Sequence, residues 1–181
     1  MGRRSHTVRF ALPAIAAVRV SLGLAACTDP SGIPGPIVLH ELVDFNGRYS
    51  VTHSFSVPGT ALTAGCTGDA DLSSNLGLAF GGTIDIDASG PCAEITNRVG
   101  QLLGSVRGEE ITFSLSGLPD PMAALGCATI GGPEAFLGSY TTRLLPDDVA
   151  LVQTLRGTRD LRADCDDEEV DARWEIRASR R

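Results

Sequence analysis

The chain of 181 residues contains no lysine, and all fifteen of its basic residues are arginine. We read that as a base-composition bias rather than a binding signature. Aromatic residues make up only 5%, with a single tryptophan. A core must therefore come from aliphatic side chains on a tightly turning backbone. No segment holds a strong helical period over a useful length, which points away from a helical domain. No apolar run reaches the roughly 20 residues that a transmembrane helix needs. A G-x-S-x-G elbow, an H-E-x-x-H pair and a phosphate-binding loop are all missing. Gly81-Gly82 and Gly131-Gly132 have no accompanying motif and read as strand or turn chemistry. No two cysteines stand at C-x₂₋₄-C spacing, and His40 and His53 are isolated, so a zinc site is not expected. No cofactor is expected either.

The formal net charge is −7. Arg3, Arg4, Arg9 and Arg19 lie in the first 26 residues, which hold no acid. The remainder carries eleven arginines against twenty-two acids, a net of −11. Such a surface repels the nucleic-acid backbone and disfavours broad contact with an anionic membrane.

Arg3, Arg4 and Arg9 form a basic start, Phe10 to Ala26 is mostly apolar, and the stretch ends Leu24-Ala25-Ala26-Cys27. That order defines a secretory signal over residues 1–26. Arg19 interrupts the apolar stretch and Pro13 weakens its helicity. The four terminal residues resemble the lipobox of bacterial lipoproteins. The resemblance implies a leader removed before Cys27, lipid on the Cys27 thiol, and a chain held at the cell envelope through that lipid. Thr28, following the cysteine in place of an aspartate, implies sorting to the outer membrane where the organism has one. Thr28 to Pro36, TDPSGIPGP, has no apolar periodicity and reads as a flexible tether. The regions expected are 1–26 signal, 27–36 lipidated end and tether, and 37–181 one domain.

Cys66, Cys92, Cys127 and Cys165 remain. An even number in an exported chain suggests two disulfides. Three pairings are possible, and proximity favours Cys66–Cys92 with Cys127–Cys165.

Period-two alternation recurs through the domain. Over Arg48 to Val57, Tyr49, Val51, His53, Phe55 and Val57 share one face, and Pro58-Gly59 ends the strand. A hairpin of Cys66–Leu72 with Leu78–Asp87, pairing Leu72 with Leu78, puts Cys66, Ala70, Leu72, Leu78, Phe80, Ile84 and Ile86 together. Asp69, Asp71, Asp85 and Asp87 fall on the other side. A second hairpin pairs Leu102–Arg107 with Glu110–Leu115 around Gly108-Glu109, a type II′ signal. In it Gly104 faces Phe113 and leaves room for the ring. A third pairs Phe136–Leu144 with Val149–Leu155, with Tyr140, Leu144, Val149, Leu151 and Leu155 inward. A fourth pairs Thr158–Cys165 with Val170–Ala178 around the acids Asp166 to Glu169, with Leu161, Ala163, Trp174 and Ile176 inward. The expectation is an all-β, antiparallel meander of about eight to ten strands closing into a small barrel. A two-sheet β-sandwich is the alternative.

Gly47-Arg48-Tyr49 resembles the Gly-x-Trp opening of lipocalin-type barrels, with Tyr in place of Trp. Phe45-x-Gly47-x-Tyr49 is similar to the opening of the fatty-acid-binding proteins. In lipocalins a late-strand arginine packs across the opening aromatic, a role the resemblance assigns to Arg173 or Arg177. The chain is also similar in its Gly- and Thr-rich texture to environmental lipoproteins that carry an uncharacterised small barrel.

The inward residues Tyr49, Val51, His53, Phe55, Phe80, Ile84, Phe113, Tyr140, Leu151 and Trp174 can line a cavity for a small apolar ligand or fill a solid core. Asp69, Asp71, Asp85 and Asp87 are candidates for Ca²⁺, set against a solvated acidic face. The acids Asp164, Asp166, Asp167, Glu168, Glu169 and Asp171 read as a hairpin tip kept soluble by charge. No catalytic residues are assigned. The main expectation is a non-catalytic envelope lipoprotein, either a ligand-binding barrel or a structural one. The alternatives are a partner-binding module using the loops Pro58–Gly65, Ser89–Arg98 and Leu118–Pro133, and a hydrolase with a catalytic pair drawn from distant strands.

Overall fold

A computed structural model describes residues 42–74, 78–95, 98–118 and 120–181, all within the compact unit His40–Arg181. The leader, Cys27, the tether and His40 lie outside the described residues.

The strands are β1 (Leu42–Asp44), β2 (Gly47–Ser56), β3 (Thr63–Ser74), β4 (Ala79–Asp85), β5 (Val99–Arg107), β6 (Glu110–Ser116), β7 (Ala128–Gly131), β8 (Ala135–Leu144), β9 (Val149–Cys165) and β10 (Glu168–Arg180). Eight of them run as an antiparallel meander, β2-β3-β4-β5-β6-β8-β9-β10. It closes where β10 pairs with β2, from Arg173↔Ser56 to Arg180↔Tyr49. The expected barrel is therefore the fold, and the sandwich alternative falls.

The two expected strands within 149–165 are one. β9 runs 17 residues without a break, and four partners occupy its two edges. β10 pairs with it over Thr154–Cys165, and β1 continues that edge in parallel at Val149–Leu151. β8 and then β7 take the other edge. Each added strand satisfies peptide groups that the main partner leaves open.

Alternation sorts β2 completely, with Tyr49, Val51, His53 and Phe55 buried and the residues between them outward. The β5–β6 hairpin has the expected register, Arg107↔Glu110 through Leu102↔Leu115. Gly108 takes φ +63° in its turn, as a type II′ turn requires of its first central residue. The space at Gly104 serves a different ring from the one expected, because a Cβ there would run into Phe80, its partner on β4.

Three expectations need correction. Leu72 pairs with Gly82, not Leu78. The slip is an even number of residues, so it leaves the faces intact and hydrophobic pattern cannot detect it. Leu78 falls beyond the pairing and is exposed. In the β8–β9 pair the register shifts between Thr141↔Thr154 and Thr142↔Val152, leaving Gln153 as a bulge. A bulge reverses the parity of every residue past it. Ala150 and Val152 are consequently the buried pair and Leu151 is only half-buried, while Leu144, opposite Ala150 at the end of β8, is exposed. Last, the β9–β10 turn is two residues, not four. Cys165 pairs with Glu168, and Asp166 and Asp167 take φ +55° and +66°, the geometry of a type I′ turn.

The pairings Cys66–Cys92 and Cys127–Cys165 are the ones proximity favoured, closing 26- and 38-residue separations. Each ties down a loop. Cys92 sits in a 3₁₀ turn (Gly90–Cys92) and is buried with Ile95. Met122, in the 3₁₀ turn Pro121–Leu125, is fully buried. Asp120 caps that turn, accepting from the Met122 amide at 2.9 Å and the Thr129 amide at 2.7 Å.

Candidate functional site

The barrel interior is the first candidate. Of the ten residues expected there, Tyr49, Val51, His53, Phe55, Phe80, Ile84, Phe113 and Trp174 are buried. Tyr140 packs against them half-buried, and the bulge rotates Leu151 away. The rings form a connected series. Phe45 stacks on Phe80 at 4.1 Å, Phe80 meets Phe113 at 6.4 Å, and Phe113 stacks on Phe136 at 4.8 Å. Phe136 then meets Trp174 edge-on at 5.0 Å, and Trp174 meets Phe55 at 5.6 Å. These side chains fill the space between the walls with one another, as a small eight-stranded barrel allows. Phe45 and Phe136 were not among the residues expected inside, since each stands at the rim of its alternating segment.

His53 is the buried polar group among them. Its Nε2 lies 3.1 Å from the Asp85 carbonyl, and its Nδ1 lies 3.4 Å from Trp174 Nε1. Indole N–H only donates. Nδ1 must therefore accept and Nε2–H must donate, which fixes a neutral tautomer. Burial pushes the His53 pKa down to about 4, against a smaller opposing pull from the Asp85 carbonyl. Its hydrogen-bond partners are a backbone oxygen and an indole, not a carboxylate.

This arrangement predicts a pH dependence. In the unfolded chain His53 takes up a proton near pH 6.5, while in the folded barrel it stays neutral until about pH 4. Acid therefore favours the unfolded chain, and stability present above pH 6.5 drains away as the pH falls toward 4. The gap corresponds to about 3 kcal/mol. Urea unfolding from pH 7.5 to 4 should show this loss, and His53→Gln, which cannot titrate, should lack that component. Equal pH slopes for the two proteins would contradict the assignment.

One end of the barrel is closed by Arg180. Its Nε donates to the Val152 carbonyl at 2.8 Å, its Nη2 donates to the Asn46 carbonyl and, at 3.3 Å, to the Tyr49 hydroxyl, and its guanidinium lies 5.3 Å from the Tyr49 ring centre. Burial raises the Tyr49 pKa, opposed by the Arg180 charge. Gly47, at φ +142°, leaves the room: a Cβ there would stand 2.6 Å from Arg180 Nη1. The arginine crossing the opening aromatic is thus Arg180, not Arg173 or Arg177. Arg173 points outward and pairs with Asp160 at 2.9 Å, and Arg177 also faces out. The sequence signal for Arg180 was available in principle, because continuing the alternation of β10 to its end brings it beside Tyr49.

The four outward aspartates do not converge on a cation. Asp71 pairs with Arg48 at 3.6 Å and Asp69 with Arg181. Asp85 accepts from the Asp69 amide at 2.5 Å and Asp87 from the Thr67 hydroxyl at 2.9 Å. Among the described residues no group of three or more acidic, Cys or His side chains is placed to hold a metal ion. In the acidic tip, Glu169 is paired with Arg162 at 2.9 Å. Two of the three loops considered for partner binding, Ser89–Arg98 and Leu118–Pro133, are fastened by the disulfides and spend Ile95 and Met122 on the core.

The outer wall divides in character. Over β4, β5, β6 and β8 the outward row Gly81–Leu103–Ser114–Ala135 and the row Ala79–Ser105–Thr112–Leu137 hold no charge. Over β9 and β10 charged side chains dominate and over β2 hydroxyls do, and a depression of about 410 Å³ lies among Thr52, Ser54, Arg156, Thr158, Glu175 and Arg177. Residue-by-residue reading missed it because its members come from three strands.

No protein-family model matches the chain, and no curated protein matches it at a significant level.

Proposed function

We propose that the protein is an exported lipoprotein, cut before Cys27, carrying lipid on that thiol, and holding a non-catalytic barrel on a short tether at the cell envelope. The observation that supports this most strongly is the cysteine pairing. All four cysteines of the domain are consumed in two disulfides, which persist in oxidising compartments. Of the five cysteines in the chain, Cys27 alone is left over, at the position where lipid attachment would use it. Two or three acyl chains on one residue hold a protein firmly, whereas one does not.

The ring series through the barrel favours a structural or partner-holding role over carriage of a small apolar ligand. A rigid, oxidised support displayed on a tether would meet other envelope components through its outer wall. The Gly47, Tyr49 and Arg180 arrangement supports kinship with lipocalin-type barrels, with the aromatic–arginine contact kept for closure of the barrel rather than for a ligand.

The intact mass of the protein extracted from envelopes of its host tests the reading. The expected mass is that of a chain beginning at Cys27, with two disulfides and added acyl groups. A mass beginning at Met1, or at another residue without lipid, would overturn it.

A further inference from the structure

We infer that the depression on the β9–β10–β2 wall binds an acidic saccharide, a ring bearing one carboxylate or phosphate beside free hydroxyls. Arg156 and Arg177 are direct cross-strand partners, a like-charge opposition that destabilises a sheet unless something answers it. Among the described residues neither arginine makes an ion pair, and the carboxylate on this face, Glu175, stands one row away. The neighbouring arginines each have a carboxylate: Arg48 has Asp71, Arg162 has Glu169 and Arg173 has Asp160. In a chain with 22 acids and 15 arginines, two facing guanidiniums without an ion pair mark a place for an external anion, which planar guanidinium binds bidentately.

The next row completes the recognition. Ser54, Glu175 and Thr158 are cross-strand partners, directly beside the row Thr52, Arg177 and Arg156. The first row offers guanidinium donors for an anion. The second offers two hydroxyls and a carboxylate, the groups that take up sugar hydroxyls as donors and acceptors. Glu175 also lowers the charge of the site to +1, which disfavours a bare multivalent anion. Successive rows on one face lie about 6.7 Å apart, a span one sugar ring bridges. The volume, about 410 Å³, falls in the range of small-ligand sites. The inference does not depend on the lipid anchor.

Detergent-solubilised full-length protein, titrated with glucuronate, glucose 6-phosphate, glucose and inorganic phosphate by calorimetry, tests it. Saturable binding is expected for the two sugar acids, about tenfold tighter than for glucose or inorganic phosphate. Arg156→Gln and Arg177→Gln should each weaken it about tenfold with the ligand-free melting temperature unchanged or slightly raised, since both side chains are exposed and either change relieves their opposition. Glu175→Gln should lose the preference for sugar acids over inorganic phosphate. Absence of saturable binding by either sugar acid, equal binding of inorganic phosphate by the unmodified protein, or undiminished binding by both arginine variants would overturn the inference.

Discussion

Trp174→Ala should remove about 4 kcal/mol of unfolding free energy and lower the melting temperature by about 10–15 °C. Trp174 is 2% exposed and stands where three parts of the core meet. Its ring touches Phe55, Phe136 and His53, and its Nε1 donates to His53 Nδ1. Truncation takes away the ring contacts, leaves a cavity that a closed barrel cannot collapse, and strips His53 of a partner. Trp174→Phe should cost less, because it restores much of the volume and loses only the donor. The size of the alanine effect also separates a solid core from a lined cavity. A tryptophan bordering an open cavity already lacks neighbours on one side, so its removal costs little. A loss below about 1.5 kcal/mol in chemical denaturation would contradict the packed interior.

Removing the disulfides should have an effect of similar size at each bridge. The 26- and 38-residue separations correspond to about 3.5 and 4 kcal/mol in the chain-entropy treatment. The sum is comparable to the whole stability of many domains. We therefore expect Cys66→Ala/Cys92→Ala and Cys127→Ala/Cys165→Ala each to fold with a much lower urea midpoint, and the protein lacking both bridges to be largely unfolded at 37 °C. Cys127–Cys165 also fastens the capped turn carrying Met122 to the end of β9. Its loss should speed proteolysis within 118–133 before the rest of the barrel. An unchanged urea midpoint after full reduction would show that the bridges contribute nothing to the folded state.

Much of this barrel was legible because strand alternation is a strict code. Tyr49, Val51, His53 and Phe55 on one face of β2, and the β5–β6 register, follow from period two and one Gly-Glu turn. The misreadings share a physical cause. Alternation reports parity and nothing else, so it cannot see the even slip that pairs Leu72 with Gly82, and it fails beyond Gln153, where the bulge reverses parity. The parallel pairing of β1 with β9 is a long-range contact with no local signature. The same holds for the candidate site. Arg156 and Arg177 are unremarkable within their own strands and become a pair only when β9 and β10 are placed in register.

The central claim is the lipid on Cys27, and metabolic labelling with a clickable fatty-acid analogue in the native host tests it most directly. The protein should take up label and fractionate with membranes, and Cys27→Ala should lose both properties while keeping its two disulfides. Label that persists in the Cys27→Ala variant, or an unlabelled protein released freely from the envelope, would contradict it.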